Sequence, residues 1–468
     1  MLGKMVDVDG LSDRERANTD LVSARYGVQT VPKYEMPQAG MPGWLTRQVI
    51  SRELQLDGNP LLNLASFVTT YMDESADRLF AETLSKNYID QDEYPQTQEI
   101  HNRCVNMLSR LFNAPESETA VGTGTVGSSE AIHLAGLAFK WKWRERRKKE
   151  GKSTEQPNLV VGANVQVCWE KFARYFDVEL RCVPVTHERY VLGVPEAIDL
   201  VDENTIGVAA ILGSTYTGEY EPVKELNDAL VALNEKTGWE VPIHVDGASG
   251  GFVAPFLTPD LEWDFRLPLV KSINASGHKF GLVYPGIGWV IWRDESELPE
   301  DLIFHVNYLG GDQPTFNLNF SKGASQMLAQ YFNFLHLGRE GYTAIMETAD
   351  ANAQYLAEHL SRSGNHIMSK PKTVPLVAWS MPHEDRFTVY DVSDRLRARG
   401  WIVPAYTMPD NAKDLALLRV VVRDDCTRDL LDLLIQDIDR SVTELGHERD
   451  KQSGRVATTK ESENQGIC

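Results

Sequence analysis

Short runs of β-branched and apolar residues alternate with helical or loop segments through the middle of this 468-residue chain. The runs are NLVVGA, IGVAAIL, PIHVDG, KSINAS and GWVIW, between about residues 158 and 292. Apolar strands separated by such segments are typical of a mainly parallel sheet that is covered on both faces. The pattern therefore predicts a large α/β domain with helices on both faces of its sheet.

The flanking segments predict a smaller second domain. Helices are expected near 73–87 and 96–112, before the sheet, and a long helical region near 325–360 follows it. Beyond that region, strands are expected near 374–380, 401–406 and 415–422, with helices near 389–399 and 428–445, which indicates a small α+β domain. The predicted organisation is an N-terminal arm at 1–58, the large domain at 59–345, the small domain at 346–447 and a polar, flexible tail at 448–468.

Composition and charge exclude several classes of partner. Lys and Arg number 47 against 67 Asp and Glu, for a net charge of −20 and a pI of about 5.0. One short basic run, 144–149, is expected to be a solvated helix end, so nucleic acid is not expected to bind. No apolar run approaches the length of a membrane span, and the N-terminus lacks an apolar signal core. We therefore predict a cytoplasmic protein without a membrane association.

Cysteine usage gives no sign of a disulfide framework or a metal site. The five cysteines are scattered, with no CxxC pair and no metal-like spacing to histidine. We expect reduced thiols without a catalytic role, and no bound metal, at Cys104, Cys168, Cys182, Cys426 and Cys468.

Three segments carry residue types that suit a cofactor site. In SGHK, Lys279 follows a predicted strand and is preceded by a glycine, which suits a lysine that bonds covalently to a carbonyl group. In PIHVDGASGG, Asp246 ends a strand, where its carboxylate can pair with a protonated pyridine nitrogen, and Ala248 can lie flat against a ring. Taken singly, these segments also fit a surface-loop lysine and an aspartate that caps a turn.

The third segment is GTGTVGSSE, residues 122–130, a glycine-rich loop that leads into a helix whose first turn contains Ser128 and Ser129. Free backbone N–H groups and hydroxyls at a helix start bind anions, although a plain capped helix would have the same sequence. An anion-binding helix start, a strand-end acid and a strand-end lysine in this order together specify pyridoxal phosphate.

At this point the chain resembles the glutamate decarboxylases of bacteria and plants, within the fold type I pyridoxal-phosphate decarboxylases. The resemblance runs from about Leu21 to Gly446 and includes the strings DEYPQTQEIHNRCVNML, VDENTIGVAAILGSTYTGEYEPV, HVDGASGGFVAPF, WDFRLPLVKSINASGHKFGLVYPGIGWVIWR and LRVVVR. It implies decarboxylation of L-glutamate to 4-aminobutyrate and carbon dioxide, with one proton consumed per turnover.

The resemblance also implies roles for individual residues around the cofactor. Lys279 would bind the cofactor covalently, Asp246 would pair with its ring nitrogen, and Thr215 would lie near its phenolic edge. Gln166 and Ala248 would cover the two ring faces. The phosphate would be bound by Ser128, Ser129, Ser276 and His278, and by Ser321 from a neighbouring subunit, which implies at least a homodimer and suggests a hexamer built from dimers.

For the substrate, the family pattern assigns Ser66, Phe67, Asn87 and Asp90 to the distal carboxylate and Arg423 to the α-carboxylate. Asp90 beside that distal carboxylate would be a like-charge pair that shares a proton, so we expect activity to favour mildly acidic pH and an Asp90→Asn variant to move the optimum upward.

The chain departs from the family pattern in three places. Gly247 stands where the family usually has alanine, and Ser66 where threonine is common. The tail lacks both the tryptophan- and lysine-rich calmodulin-binding segment of the plant enzymes and the terminal histidine of the enteric bacterial ones. Calmodulin is therefore not expected to bind, and the mode of regulation cannot be carried over.

Other activities remain open from the sequence. A related decarboxylase acting on aspartate, histidine or an aromatic amino acid would share the cofactor residues, although polar residues in the substrate pocket disfavour the aromatic version. An aminotransferase or a carbon–carbon lyase shares the lysine and the strand-end acid. A scaffold protein without activity would leave Lys279 and Asp246 unexplained.

Overall fold

The computed structural model describes residues 31, 33–115, 120–307, 313–382 and 386–463, with the backbone alone described for 313 and 449–463. The chain divides into two compact units between Asn59 and Pro60. The first unit contains helix α1 (Gly43–Leu54), and an ion pair joins Lys33 to Glu53 at 3.2 Å. Residues 1–30 and 32 of the predicted arm, and residues 464–468 of the predicted tail, lie outside the described residues.

The second unit contains a seven-stranded sheet in the order β1-β7-β6-β5-β4-β2-β3. Strand β7 is antiparallel to both of its neighbours, whereas the β6-β5-β4-β2-β3 pairings are parallel. The mainly parallel sheet is therefore confirmed. Its strands are β1 (Val121–Thr125), β2 (Asn158–Gly162), β3 (Glu179–Val183), β4 (Thr205–Ile211), β5 (Ile243–Asp246), β6 (Val270–Ala275) and β7 (Gly288–Trp292).

Helices cover both faces of this sheet. Along β2, Val160 packs into one apolar cluster, while Leu159 and Val161 pack into another, because successive side chains of a strand point to opposite faces. The first cluster includes Leu108 of α3, and the second includes Phe172 of α5. The helices are α2 (Glu74–Glu82), α3 (Pro95–Leu111), α4 (Ser128–Lys149), α5 (Val167–Tyr175), α6 (Val194–Asp199), α7 (Val223–Thr237) and α8 (Ala254–Leu257).

A second, antiparallel sheet follows the long helix α9 (Ser325–Arg362), which is kinked at Gly338 (φ 57°). The sheet has the order β10-β11-β13-β12 and a separate apolar cluster that includes Leu356 and Trp379. Its elements are β10 (His366–Ile367), β11 (Leu376–Ser380), α10 (Val389–Arg397), β12 (Ala405–Thr407), β13 (Ala416–Val421) and α11 (Arg428–Glu463). A short hairpin, β8 (Phe304–Val306) and β9 (Gln313–Thr315), lies between the two sheets in sequence.

Three details differ from the sequence prediction. Residues 121–125 form strand β1 instead of a loop, and Gly122 permits it because a Cβ there would lie 2.6 Å from the Val290 carbonyl oxygen. Strand β12 begins at Ala405, after Pro404, which has no N–H group for a sheet ladder. The backbone of α11 stays helical to Glu463, past the predicted tail boundary at 448, in a segment without proline.

None of the helices in the described residues is long and apolar enough to cross a membrane. The four cysteines within the described ranges are free thiols, of which Cys182 is exposed, and Cys468 lies outside those ranges. The domain boundary at 345/346 stays a prediction.

Candidate active site

A cavity of about 440 Å³ opens at the carboxyl ends of the parallel strands. Ligands of open α/β sheets bind at this edge, where strand-to-helix loops converge. The cavity is lined by all of the predicted cofactor residues except Ser321, namely Ser128, Ser129, Gln166, Thr215, Asp246, Ala248, Ser276, His278 and Lys279. The structure thus brings together segments that lie up to 151 residues apart, since 279 − 128 = 151.

One part of the cavity lies at the start of helix α4 and has hydrogen-bond donors that suit an anion. The Ser128 and Ser276 hydroxyl oxygens lie 2.7 Å apart, and both residues are buried. Strand β7 approaches this helix start closely, since a Cβ on Gly288 would lie 2.5 Å from the Gly127 carbonyl carbon. Free N–H groups at the helix start and paired hydroxyls suit a phosphate group.

His278 adds a nitrogen to the same site. Its Nδ1 atom is buried and has no hydrogen-bond partner among the described residues. Burial, and secondarily the charge of Lys279, lower the pKa of His278 to about 4, so the imidazole is neutral near pH 7. A neutral ring can donate one N–H to an anion, which would satisfy the unpaired nitrogen.

Asp246 is fixed in another part of the cavity by three donors. Its Oδ2 atom accepts a hydrogen bond from Trp169 Nε1 at 2.9 Å. Its Oδ1 atom accepts from Asn274 Nδ2 at 3.0 Å and from the Ala248 N–H at 3.1 Å. The carboxylate is buried, so these donors offset its loss of water and hold its orientation.

His244 supports this arrangement from within the sheet. Its ring nitrogens lie 2.8 Å from Ser272 Oγ and 2.8 Å from Asn274 Oδ1. Because Asn274 uses its amide N–H on Asp246, its oxygen accepts from His244 Nε2, which places the imidazole proton on that atom. Burial lowers the pKa of His244 to about 4, which keeps the ring neutral.

Lys279 lines the same cavity. Its Nζ atom is 3.3 Å from Ser249 Oγ and 5.2 Å from the centre of the Phe67 ring. Burial lowers the pKa of Lys279, and the positive charge of Arg419 adds to this effect, whereas Asp246 and Cys168 oppose it. The neutral amine, which is the form that attacks a carbonyl carbon, is therefore more available than in an ordinary lysine.

Gln166 and Cys168 line the cavity beside the start of helix α5. Gln166 caps this helix, since its Oε1 atom accepts from the Cys168 N–H at 2.8 Å. Burial raises the pKa of the Cys168 thiol to about 12, so the sulfur is protonated near pH 7.

Glu130 is a buried lining residue that the sequence analysis did not identify. Its Oε2 atom accepts from the Val126 N–H at 2.8 Å. Its Oε1 atom accepts from the Leu318 and Asn319 N–H groups at 3.0 and 3.2 Å. The carboxylate thus ties the loop before the anion site to the segment that leads to Ser321.

Arg419 is a second residue that the sequence analysis missed. Its guanidinium group lies 4.7 Å from the centre of the Phe67 ring, the same ring that Lys279 faces. It donates to the Thr215 carbonyl oxygen at 2.6 Å and to the Ala65 carbonyl oxygen at 2.5 Å. It is buried, and its positive charge adds a small contribution to the lowering of the Lys279 pKa that burial causes.

Arg423, the predicted α-carboxylate ligand, is fully engaged within the protein. Its Nε and Nη2 atoms donate to the two carboxylate oxygens of Asp425, each at 3.1 Å. Nη1 donates to the Asn63 and Ser66 carbonyl oxygens at 2.6 and 2.9 Å, and Nη2 to that of Pro60 at 3.3 Å. All five N–H groups of a guanidinium are thereby used, so none is left for a substrate.

Of the other predicted substrate residues, Phe67 faces Lys279, whereas Ser66, Asn87 and Asp90 lie apart from the cavity lining. Ser66 Oγ accepts from the Val68 N–H at 3.1 Å. Asn87 Oδ1 accepts from the Lys322 N–H at 3.2 Å, which places Asn87 beside the exposed Ser321. Asp90 is in the turn after Asn87, since its N–H donates to the Asn87 carbonyl oxygen at 3.3 Å.

The fold and the cavity together define a class of enzyme. A mainly parallel sheet presents a lysine, a buried strand-end carboxylate and a helix-start anion site around one cavity, and the unpaired His278 Nδ1 atom fits a phosphate oxygen. These residues fit pyridoxal phosphate, because its ring nitrogen, carbonyl carbon and phosphate would each meet a complementary group. The class is that of fold type I pyridoxal-phosphate enzymes.

Comparisons with known proteins agree with this class. The model of the pyridoxal-dependent decarboxylase conserved domain matches residues 41–382. The chain is 58% identical to glutamate decarboxylase 1 of Arabidopsis thaliana, over 94% of this chain and 88% of that protein. It is 51% identical to glutamate decarboxylase of Aliivibrio fischeri, over 88% of this chain and 90% of that protein. A solved structure of Lactobacillus brevis glutamate decarboxylase superposes with a TM-score of 0.87 at 44% identity, covering 93% of this chain and 97% of that one.

The chain belongs to the pyridoxal-dependent decarboxylase family. The predicted fold class, the predicted cofactor and the resemblance that the sequence showed are thereby confirmed. The roles assigned to individual residues stay predictions.

Proposed function

We propose that this chain decarboxylates L-glutamate to 4-aminobutyrate and carbon dioxide, with pyridoxal phosphate as its cofactor. The observation that carries the proposal is that Lys279, Asp246 and the paired hydroxyls of Ser128 and Ser276 line one and the same cavity. The relatives named above are glutamate decarboxylases, which supports glutamate as the substrate. When bound, the cofactor supplies an electron sink for the negative charge that remains at Cα after carbon dioxide leaves.

Each part of the cavity has a separate role in holding this cofactor. Ser128, Ser129, Ser276 and His278 bind its phosphate group, and Asp246 keeps its ring nitrogen protonated. Gln166 and Ala248 would confine the cofactor ring, and Thr215 would lie near its phenolic oxygen. Lys279 would hold the cofactor covalently through its carbonyl carbon. Once the amino group of the substrate has displaced it, the freed Lys279 ammonium would be placed to donate a proton to Cα.

For the substrate we propose Arg419, in place of Arg423, as the cation that binds a glutamate carboxylate. Its guanidinium lies over the Phe67 ring that Lys279 also faces, and its Nε atom makes no hydrogen bond of normal geometry to a described residue. A planar guanidinium suits carboxylate recognition, since it can donate two parallel hydrogen bonds. By holding the carboxylate, Arg419 would fix which bond at Cα stands perpendicular to the cofactor ring.

We further propose that Asn87, Asp90 and Ser321 serve the site of a neighbouring subunit. The Lys322 N–H donates to Asn87 Oδ1, so Asn87 lies beside Ser321, the residue before Lys322. Ser321 is exposed. A residue that completes a partner's site has to lie at its own surface. The functional protein is then at least a homodimer.

The test is product analysis by mass spectrometry on the purified protein with pyridoxal phosphate and an equimolar panel of glutamate, aspartate, histidine and aromatic amino acids. Selective formation of 4-aminobutyrate, absent from a Lys279→Ala variant, is the expected result. A different amine would contradict the substrate assignment, and a keto acid would contradict decarboxylation.

A further inference from the structure

The turn that follows Lys279 contains a backbone conformation that bulky side chains rarely adopt. Leu282 has a φ of 62°, in the left-handed region, although its side chain is buried at 6% exposure. The chain reverses tightly here, since a Cβ on Gly281 would lie 2.6 Å from Gly277 Cα and the Val283 N–H donates to the Gly277 carbonyl oxygen at 3.0 Å. Such a conformation persists only where its surroundings enforce it.

Three buried polar side chains of helix α9, which we name the carbonyl clamp (Gln330, Asn333 and Tyr342), enforce it. The Tyr342 hydroxyl donates to the Gly281 carbonyl oxygen at 2.9 Å, and Gln330 Nε2 donates to the same oxygen at 3.0 Å. Asn333 Nδ2 donates to the Leu282 carbonyl oxygen at 2.5 Å. Two consecutive carbonyl groups of the turn are thus bound by side chains from one helix.

Packing alone does not account for these residue types. Gln330 is fully buried, Tyr342 is 2% exposed and Asn333 is 6% exposed. Burying polar groups costs free energy unless they are hydrogen-bonded, and apolar side chains of similar size would fill the same space without that cost. The clamp therefore has its physical reason in the turn that it binds.

We propose that the carbonyl clamp positions Lys279. By holding the left-handed turn, it fixes the Lys279 backbone on one side, while Thr69 Oγ1 donates to the Lys279 carbonyl oxygen at 2.9 Å on the other. In this arrangement Nζ lies 3.3 Å from Ser249 Oγ. The inference rests on the proposed function in one respect, namely that Lys279 is the residue that bonds to the cofactor.

The clamp residues act through the turn, without touching the cavity, so a Tyr342→Phe variant isolates the effect. It removes the hydroxyl that binds Gly281 and keeps the ring that stacks on Phe256 at 5.1 Å. Tyr355→Phe is the matched control, because it removes a hydroxyl from the same helix whose partner is Asp432. Both variants are tested as full chains saturated with pyridoxal phosphate.

Two measurements are made on each variant. The first is the initial rate at which borohydride fixes pyridoxal phosphate to Lys279, followed by peptide mass spectrometry, and the second is the separate determination of kcat and KM for glutamate. We expect Tyr342→Phe to lower the fixation rate and to lower kcat by about ten- to a hundredfold, with KM nearly unchanged, because a misplaced reacting group loses rate more than affinity. Tyr355→Phe should leave both unchanged.

Unchanged fixation and kcat in Tyr342→Phe would overturn the proposal, and so would equal losses in Tyr342→Phe and Tyr355→Phe. A Leu282→Gly background gives an independent check, because glycine adopts the left-handed region freely. Tyr342→Phe should lower the fixation rate and kcat less in the Leu282→Gly background than in the wild type. An equal decrease in both backgrounds would contradict the positioning role. Fixation by borohydride requires no substrate, so it tests the clamp even if the wild-type chain does not decarboxylate glutamate.

Discussion

Replacing Arg423 and Arg419 by lysine, one at a time, separates a structural arginine from one that binds substrate. Arg423 makes five hydrogen bonds, two of them to Asp425 and three to the backbone of Pro60, Asn63 and Ser66. Lysine keeps the positive charge but has three N–H groups, so at least two of these bonds are lost.

The expected loss of stability follows from that count. A hydrogen bond to a charged group contributes about 1.5–3 kcal/mol, so two lost bonds reduce the free energy of unfolding by about 3–6 kcal/mol. The measurement is the urea midpoint followed by tryptophan fluorescence, together with KM for glutamate. Arg423→Lys should lower the midpoint strongly and change KM little in the protein that remains folded.

Arg419→Lys should give the opposite pattern. It removes the planar fork that we assign to a substrate carboxylate, and loss of one charged hydrogen bond raises KM by about tenfold or more. Its effect on the urea midpoint should be smaller, because Arg419 makes only two hydrogen bonds to the backbone. Arg423 makes three such bonds and also an ion pair with Asp425. A larger rise in KM for Arg423→Lys than for Arg419→Lys, with an unchanged urea midpoint, would refute this reasoning.

Two further variants test the surroundings of the cavity. In the wild type, backbone N–H groups donate to both carboxylate oxygens of Glu130, whereas Glu130→Gln leaves one acceptor oxygen for them. The dissociation constant for pyridoxal phosphate, measured by an absorbance titration, should therefore rise about tenfold. An unchanged dissociation constant would contradict the role of Glu130. The pKa of His244 is lowered to about 4 from 6.5, so its neutral form stabilises the folded chain above pH 6.5, and this contribution is lost as the pH falls through the folded value. The stability difference between the wild type and His244→Gln should therefore shrink by up to about 3 kcal/mol between pH 6.5 and 4, and a constant difference would show that His244 is not buried in its neutral form.

The sequence was sufficient for the parts of the site that depend on local pattern. Asp246 ends a recognisable strand, Lys279 follows another, and Ser128 begins a recognisable helix, so the strand order directs them to one edge of the sheet. The boundaries of strands and helices were harder to predict where they depend on contacts between residues far apart in sequence. Residues 121–125 form a strand because Gly122 permits close approach of Val290, a contact 168 residues away in sequence, since 290 − 122 = 168.

The choice between Arg419 and Arg423 shows what a pattern cannot supply. Arg419 lies within β13 and Arg423 lies two residues past its end, so the sequence pattern gives no means of telling which of the two reaches the substrate. The two arginines differ in their partners. Arg423 contacts Asp425 and the 60–66 loop, whereas Arg419 contacts the Phe67 ring. The left-handed turn at Leu282 is equally hidden, because leucine does not mark such a conformation.

The central claim, that this chain removes the α-carboxylate of glutamate and returns a proton to Cα, is tested most directly by isotope labelling. The wild-type protein with pyridoxal phosphate is given L-glutamate carrying ¹³C in its α-carboxylate, in deuterium oxide, and all products are followed by mass spectrometry. We predict that the label leaves entirely as carbon dioxide, in equal amount to the 4-aminobutyrate formed, and that each product molecule gains one deuteron on its amine-bearing carbon. Retention of the label in a keto acid, or release of carbon dioxide without 4-aminobutyrate, would contradict the account.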